Sequence, residues 1–313
     1  MAMEPAARSS APAMREQMAL TIETAMAADE RLALLLADIS VSLFSAALRR
    51  FPARALNLGI MEQALVSVGA GMALEGFIPV MHSIAPFLVE RTFEQIKDDF
   101  CFQRLGGNFI SIGASYDYST EGMTHHAPGD VQILSSLPGM RITVPGASAE
   151  FDALFRETYA SGAPVYYRLG ERQNARALPV RFGHAETLRH GGRATVLAVG
   201  PMLDATAEAV ADLDVSLLYY TTLAPFDADT LRAAHGADPE RPVVLVEPFY
   251  AGTLTPAVVD ALAPQPVRVE AIGVPREVLS RYGTRKQHDA ALGLDTPGIR
   301  ARLLRALEHE TAG

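Results

Sequence analysis

The 313-residue sequence has a single cysteine, Cys101, so no disulfide can form within the chain, and the protein fits a reducing compartment such as the cytoplasm. It has no cluster of basic residues: 27 Lys and Arg are scattered among 36 Asp and Glu, and the net charge of −9 argues against nucleic acid as a partner. Long hydrophobic runs are missing too. The most apolar stretch, LALLLADISVSLFSAAL at 32–48, carries Asp38 at its centre and reads as buried structure rather than a membrane span. The opening MAMEPAARSSAPAMREQ lacks the apolar core of a signal peptide, and its first dozen residues read as disordered. No P-loop, G-x-S-x-G elbow or redox CxxC is present.

What is there describes a globular protein with room for two cores: 49% of residues are hydrophobic and 20% charged. Short apolar runs bounded by Gly, Pro or polar residues alternate with longer stretches of helical spacing. Strands are expected at 32–40 (at least its second half), 77–84, 108–115, 141–146 and 164–169, with helices at 61–75, 86–104 and 148–160. The polar stretch 171–192 breaks this rhythm, which restarts with strands at 194–200, 215–220, 242–247 and 267–274 and a closing amphipathic helix near 296–309. The expected fold is α/β, with two domains that are each a mostly parallel sheet flanked by helices. The division is an N-terminal segment over 1–28, a first domain over 29–177, a linker over 178–192 and a second domain over 193–313.

Local motifs are weak when taken singly. GAGMAL at 69–74 resembles a fragment of a dinucleotide fingerprint, but it lies within a helical pattern and lacks the third glycine, so close helix packing explains it better. THHAPGD at 124–130 has adjacent histidines that point different ways and no further ligand spacing, so it reads as a loop with one functional histidine and no metal site. Glu62, in the small and apolar NLGIMEQALVSVGAGMALEG at 57–76, is the anomaly. A buried carboxylate without a partner is costly, and its plain reading is a helix-end acid facing the positive dipole.

The order of motifs alters that reading. LADIS, ALNLGIMEQALVSVGAGMALEG, HSIAPFLVERTFEQI, EGMTHHAPGDVQILSSLPGMRITVPG and PVYYRLGERQN, followed by ATVLAVG, TTLAPFD and VVLVEP, resemble the C-terminal half of a transketolase over about residues 30–310. That half is the pyrimidine-binding domain plus the transketolase C-terminal domain, and the match is nearest to split transketolases made of two chains. The resemblance implies thiamine diphosphate as cofactor. It implies that Glu62 hydrogen-bonds the ring nitrogen of the aminopyrimidine and helps generate the reactive carbanion, with Phe87 as an apolar wall for the ring. Ile84 stands where the family places a second aromatic residue, and Asp38 of LADIS falls with the cofactor contacts.

His125 matches a histidine that contacts substrate near the reacting carbons, and Glu121 replaces an aspartate that checks a hydroxyl. Arg15 and Ser42 fall near phosphate contacts, with either Arg168 or Arg172 as a third, while the family's phosphate-contacting histidine corresponds to Gly113. The GDG motif that holds magnesium and diphosphate in these enzymes is missing from the sequence. The resemblance therefore implies a β subunit, active only with a partner that carries GDG and binds Mg2+, in an α2β2 assembly. The implied activity is transfer of a two-carbon ketol unit from a ketose, phosphorylated or not, to an aldose. The alternatives are the β subunit of a 2-oxo acid dehydrogenase or acyloin-type enzyme, and a non-catalytic scaffold.

Overall fold

The computed structural model describes residues 12–308 apart from 237 and 239, so the opening stretch read as disordered lies almost wholly outside the described residues. The strands are β1 (Leu32–Leu36), β2 (Ala55–Asn57), β3 (Ile78–Ile84), β4 (Gly107–Ile112), β5 (Arg141–Thr143), β6 (Pro164–Arg168), β7 (Glu186–Arg189), β8 (Thr195–Val199), β9 (Ser216–Tyr220), β10 (Thr222–Ala224), β11 (Val243–Tyr250) and β12 (Val269–Val274). They form a seven-stranded sheet of order β10-β5-β6-β4-β3-β1-β2 and a five-stranded sheet of order β12-β11-β8-β9-β7. Pairing is parallel except at β10 and β7, each antiparallel to its one neighbour. The strands LALLL, PVYYR and TVLAV are buried along their whole length. Continuous apolar runs are what a parallel sheet covered on both faces requires.

Several elements depart from the sequence expectation. β1 takes the first half of 32–40, not the second, because the chain turns at Asp38 and Ser40, both in the left-handed region with φ of 62° and 61°. The 86–104 stretch is not one α-helix: widened π-type turns at Pro86–Glu90 and Ile96–Phe102 flank a short helical piece at Phe93–Gln95. The 178–192 segment contains β7. VSLLYYTTLA splits into two strands in different sheets. β9 belongs to the second sheet, and after Thr221 the chain enters the first as β10, with the Val144 amide donating to the Thr221 carbonyl at 2.7 Å.

That crossing ties the two sheets together, and buried polar groups reinforce the tie. Glu150 accepts from the amides of Gly146 (2.8 Å) and Leu178 (2.9 Å) and from the Tyr219 hydroxyl (2.7 Å), which satisfies a carboxylate that is 1% exposed. Helix α1 (Met14–Ala28) covers the first sheet through Met18, Ile22 and Met26 and hydrogen-bonds the 148–158 helix from Thr21 to Asp152 at 2.5 Å. Helix α2 (Glu62–Leu74) packs on β3, where Gly69 lets Met81 approach its backbone. Asp38, Glu62, Phe87 and Gly113 all lie in segments that leave the carboxyl ends of β1, β2, β3 and β4, the end of a parallel sheet where ligands bind. No helix among the described residues is long and apolar enough to cross a membrane.

Candidate functional site

Glu62 is the first residue of α2 and is 2% exposed, although the preceding Ile60 and Met61 are 70% and 59% exposed. Its place at the helix N-terminus agrees with the electrostatic reading, but its partner is a charge from elsewhere in the chain. Arg91 Nη1 donates to Glu62 Oε2 at 2.7 Å. The same guanidinium lies over the Phe87 ring, its central carbon 4.3 Å from the ring centroid. Phe87 in turn meets His125 edge to face, with centroids 5.2 Å apart and planes at 75°. His125 Nδ1 is 3.0 Å from the Thr124 hydroxyl, which leaves Nε2 directed elsewhere. Glu62, Phe87 and His125, separate in sequence, thus form one connected group, and Arg91 is the member that sequence reasoning missed.

A second group continues from His125. Tyr118 meets its imidazole at a centroid distance of 6.1 Å and packs in the same apolar cluster as Ile84 and Phe87. Gly113 has φ of +73°, and a Cβ there would overlap the Tyr118 ring while lying 3.2 Å from Ile84 Cγ2. Tyr118 fills the space beside both Gly113 and Ile84. Burial raises the Tyr118 pKa, opposed by the nearby Arg15 cation and reinforced by Glu171 and Asp117. Tyr118, Gly113, Arg15 and Glu171 line a cavity of about 330 Å³ together with Ile112, Leu169, Gly170 and Gln173.

Arg15 is held there by a relay. Its Nε donates to Ser40 Oγ at 2.9 Å, Ser40 Oγ is 2.8 Å from His82 Nε2, and His82 Nδ1 is 2.8 Å from the Ile110 carbonyl. Because a carbonyl can only accept, Nδ1 carries the proton and Nε2 accepts from Ser40. Complete burial pushes the His82 pKa down to about 4, so the ring is neutral and the relay is set. Ser42, the serine matched by the family pattern, is exposed; Ser40 is the serine that touches Arg15.

The other candidates sit apart from this relay. Arg168 is buried with its Nε 2.7 Å from Asp130 Oδ2 and its Nη2 2.7 Å from Ser115 Oγ, an ion pair inside the fold. Arg172 reaches the Leu294 carbonyl at 3.2 Å and Met202 Sδ at 3.3 Å. Both arginines line a cavity of about 30 Å³ with Asp117 and Asp289, not the larger one around Tyr118. Asp38 is exposed at the end of β1 and exchanges hydrogen bonds with Asn57, at 2.9 Å to its amide and 3.1 Å to its carboxylate. Glu121 is exposed on the loop before His125. Among the described residues no group of three or more His, Cys, Asp or Glu could hold a metal ion.

The family model for the pyrimidine-binding domain of transketolase matches residues 10–176. The chain belongs to this family. It is 42% identical over 280 residues to a protein of Rhodococcoides fascians described as an uncharacterized 33.6 kDa protein in the fasciation locus, covering 89% of this chain and 90% of that one. It is 32% identical to the 6-deoxy-6-sulfo-D-fructose transketolase subunit SqwH of a Clostridium species, over 66% of this chain and 67% of that subunit. Among solved structures, a split-gene transketolase described as an inactive β4 tetramer superposes with a TM-score of 0.83 at 26% identity, over 96% of this chain and 99% of that one. The chain spans only about two fifths of the 1-deoxy-D-xylulose-5-phosphate synthases that it also matches. Within the transketolase family it therefore corresponds to the β subunit of a two-chain enzyme. The family depends on thiamine diphosphate.

Proposed function

We propose that this chain is the catalytic β subunit of a two-chain transketolase, and that it supplies the pyrimidine end of a cofactor site completed by a partner. The observation that carries the reading is that Arg91 joins buried Glu62 to the Phe87 face, and Phe87 meets the His125 imidazole. A buried carboxyl near a flat aromatic ring suits an aminopyrimidine, which needs a proton-sharing acid at its ring nitrogen and a surface to stack on. Thiamine diphosphate, when bound, supplies the nucleophilic carbon for moving a two-carbon unit. Glu62 holds and returns the proton at the ring nitrogen. The Thr124 hydroxyl holds His125 through Nδ1 at 3.0 Å, and the imidazole serves the reaction by donating to a carbonyl or hydroxyl oxygen of the sugar from Nε2. Diphosphate and Mg2+ are assigned to the partner because the GDG motif is missing from this sequence.

The alternative of a dehydrogenase-type subunit is disfavoured by the Thr124–His125 arrangement. The test is reconstitution with a partner chain that carries GDG, in the presence of thiamine diphosphate and Mg2+. Two-carbon transfer from ketose to aldose is expected from the mixture and from neither chain alone, with an α2β2 mass by light scattering. Magnesium-dependent micromolar cofactor binding by the lone chain, or no cofactor binding by the mixture, overturns the reading.

A further inference from the structure

His125 sits on a loop that both domains grip. The loop leaves β4 and closes on itself at an antiparallel bridge between Ser115 and Ala127, so residues 116–126 form one excursion. At its tip one tight helical turn, Met123–His125, starts from Gly122, and the His125 amide donates to the Gly122 carbonyl at 3.0 Å. Glu121, Met123 and Thr124 are exposed, yet Gly122 among them is buried. The ring that covers it comes from the second domain. A Cβ placed on Gly122 would lie 2.7 Å from Tyr282 Cε1 and 3.2 Å from the Tyr282 hydroxyl oxygen. Gly122 has φ of +76°, so its backbone angle and the Tyr282 ring both exclude a side chain there.

The same stretch of the second domain holds the base of the loop. The Tyr116 hydroxyl donates to Asp289 Oδ1 at 2.7 Å, and the Tyr116 ring stacks on His288 with centroids 5.3 Å apart. His288 in turn meets His126 edge to face at 5.9 Å. Both second-domain residues lie on the helix Arg285–Leu292, where Arg285 Nη1 fixes the other Asp289 oxygen at 2.6 Å. Tyr116, His126, His288 and Asp289 are buried, so the base of the loop belongs to the packing between the domains. Tyr282 differs from them, being 72% exposed. A ring that stays mostly in water removes little apolar area on docking. Its contact is instead with the turn that presents His125.

We propose that Tyr282 is a positioning residue for the reaction: its ring seats Gly122 and so sets where the following turn presents the His125 imidazole to the sugar. This rests on the reading of His125 as a sugar contact. From the first domain the imidazole meets the Phe87 and Tyr118 rings. It is therefore fixed between those rings and a turn that the second domain braces. An exposed loop tip has few buried contacts of its own and opens locally at little cost. A shift of about 1 Å in a group that acts on substrate is enough to lower turnover by about 10²-fold. The second domain thus takes part in orienting the substrate-contacting histidine.

The test compares wild type, Tyr282→Ala, Tyr282→Phe and His125→Asn in the reconstituted two-chain enzyme. Tyr282→Ala is expected to lower kcat/KM for two-carbon transfer by about tenfold, with thiamine diphosphate affinity and the denaturant midpoint unchanged. Tyr282→Phe keeps the ring and is expected to match wild type. Hydrogen exchange at the His125 amide reads the turn without turnover, and should quicken by about tenfold in Tyr282→Ala but not in Tyr282→Phe. Either readout unmoved in Tyr282→Ala overturns the proposal. An equal loss in Tyr282→Phe also overturns it, by making the hydroxyl the acting group. Loss of assembly, stability or cofactor affinity in Tyr282→Ala overturns it as well, by making the residue a structural one. Unimpaired His125→Asn defeats the reading of His125 and this inference together, whereas impaired His125→Asn beside normal Tyr282→Ala defeats this inference alone.

Discussion

Gly113 and Tyr118 form a pair whose energetics can be worked out from the coordinates. Gly113 has φ of +73°, and an added Cβ would collide with the Tyr118 ring. Gly113→Ala therefore carries two costs. Holding an L-residue in the left-handed region costs about 1–2 kcal/mol, and forcing a methyl into a filled space costs about 1–3 kcal/mol more. The second cost exists only while Tyr118 stands there, and the first is independent of it. In a double-mutant cycle with Tyr118→Ala, the glycine substitution should cost only the backbone strain, leaving a coupling of about 1–3 kcal/mol. Denaturant unfolding of the four proteins measures this. If Gly113→Ala is neutral, or costs the same with and without Tyr118, the ring does not fill the glycine's space. A larger side chain at 113 should likewise be tolerated only when Tyr118 is also replaced.

With Arg15 the one arginine of the three candidates beside Tyr118, and Glu171 on the same cavity, phosphorylated ketose donors should gain little over unphosphorylated ones in the reconstituted enzyme; an advantage of about 10³-fold in kcat/KM, roughly 4 kcal/mol, refutes this. Glu62→Gln should lower turnover by about 10²-fold or more without unfolding the protein, because an amide cannot exchange the proton; near-normal activity would leave Glu62 as a helix-end acid only. For His82 the folded pKa of about 4 lies below the unfolded value near 6.5, so the unfolded chain binds the extra proton between those limits. Its stabilisation is present above pH 6.5 and is lost as pH falls toward 4, by roughly 3 kcal/mol. The stability difference between wild type and His82→Asn should shrink over that window, and parallel pH curves would show that the ring is already charged.

The α/β rhythm was legible because buried parallel strands need continuous apolar runs, and PVYYRL and ATVLAVG announce them. The failures share a cause. β10 is only three residues long and lies one residue past β9, so a single apolar run hides a change of sheet. β7, with the sequence ETLR, is a half-exposed edge strand and carries no apolar signal. At 86–104 the helical spacing is present, but its turns are widened, which periodicity cannot register.

The site divides along the same line. Glu62 was readable because a carboxylate inside a small, apolar stretch is locally anomalous, whatever surrounds it. Arg168 carried a similar signal, an arginine ending the buried run PVYYR, and the structure meets it with Asp130 inside the fold. Arg91 gave no such signal: in LVERTFEQ it is one charge among several on what reads as a helix surface. Its meaning depends on Glu62, 29 residues earlier, and on Phe87, which becomes its neighbour only when the turn after β3 closes. A sequence read locally shows which side chain requires a partner. The partner is chosen by the fold, and for Glu62 it is Arg91, whose guanidinium also lies over the Phe87 ring.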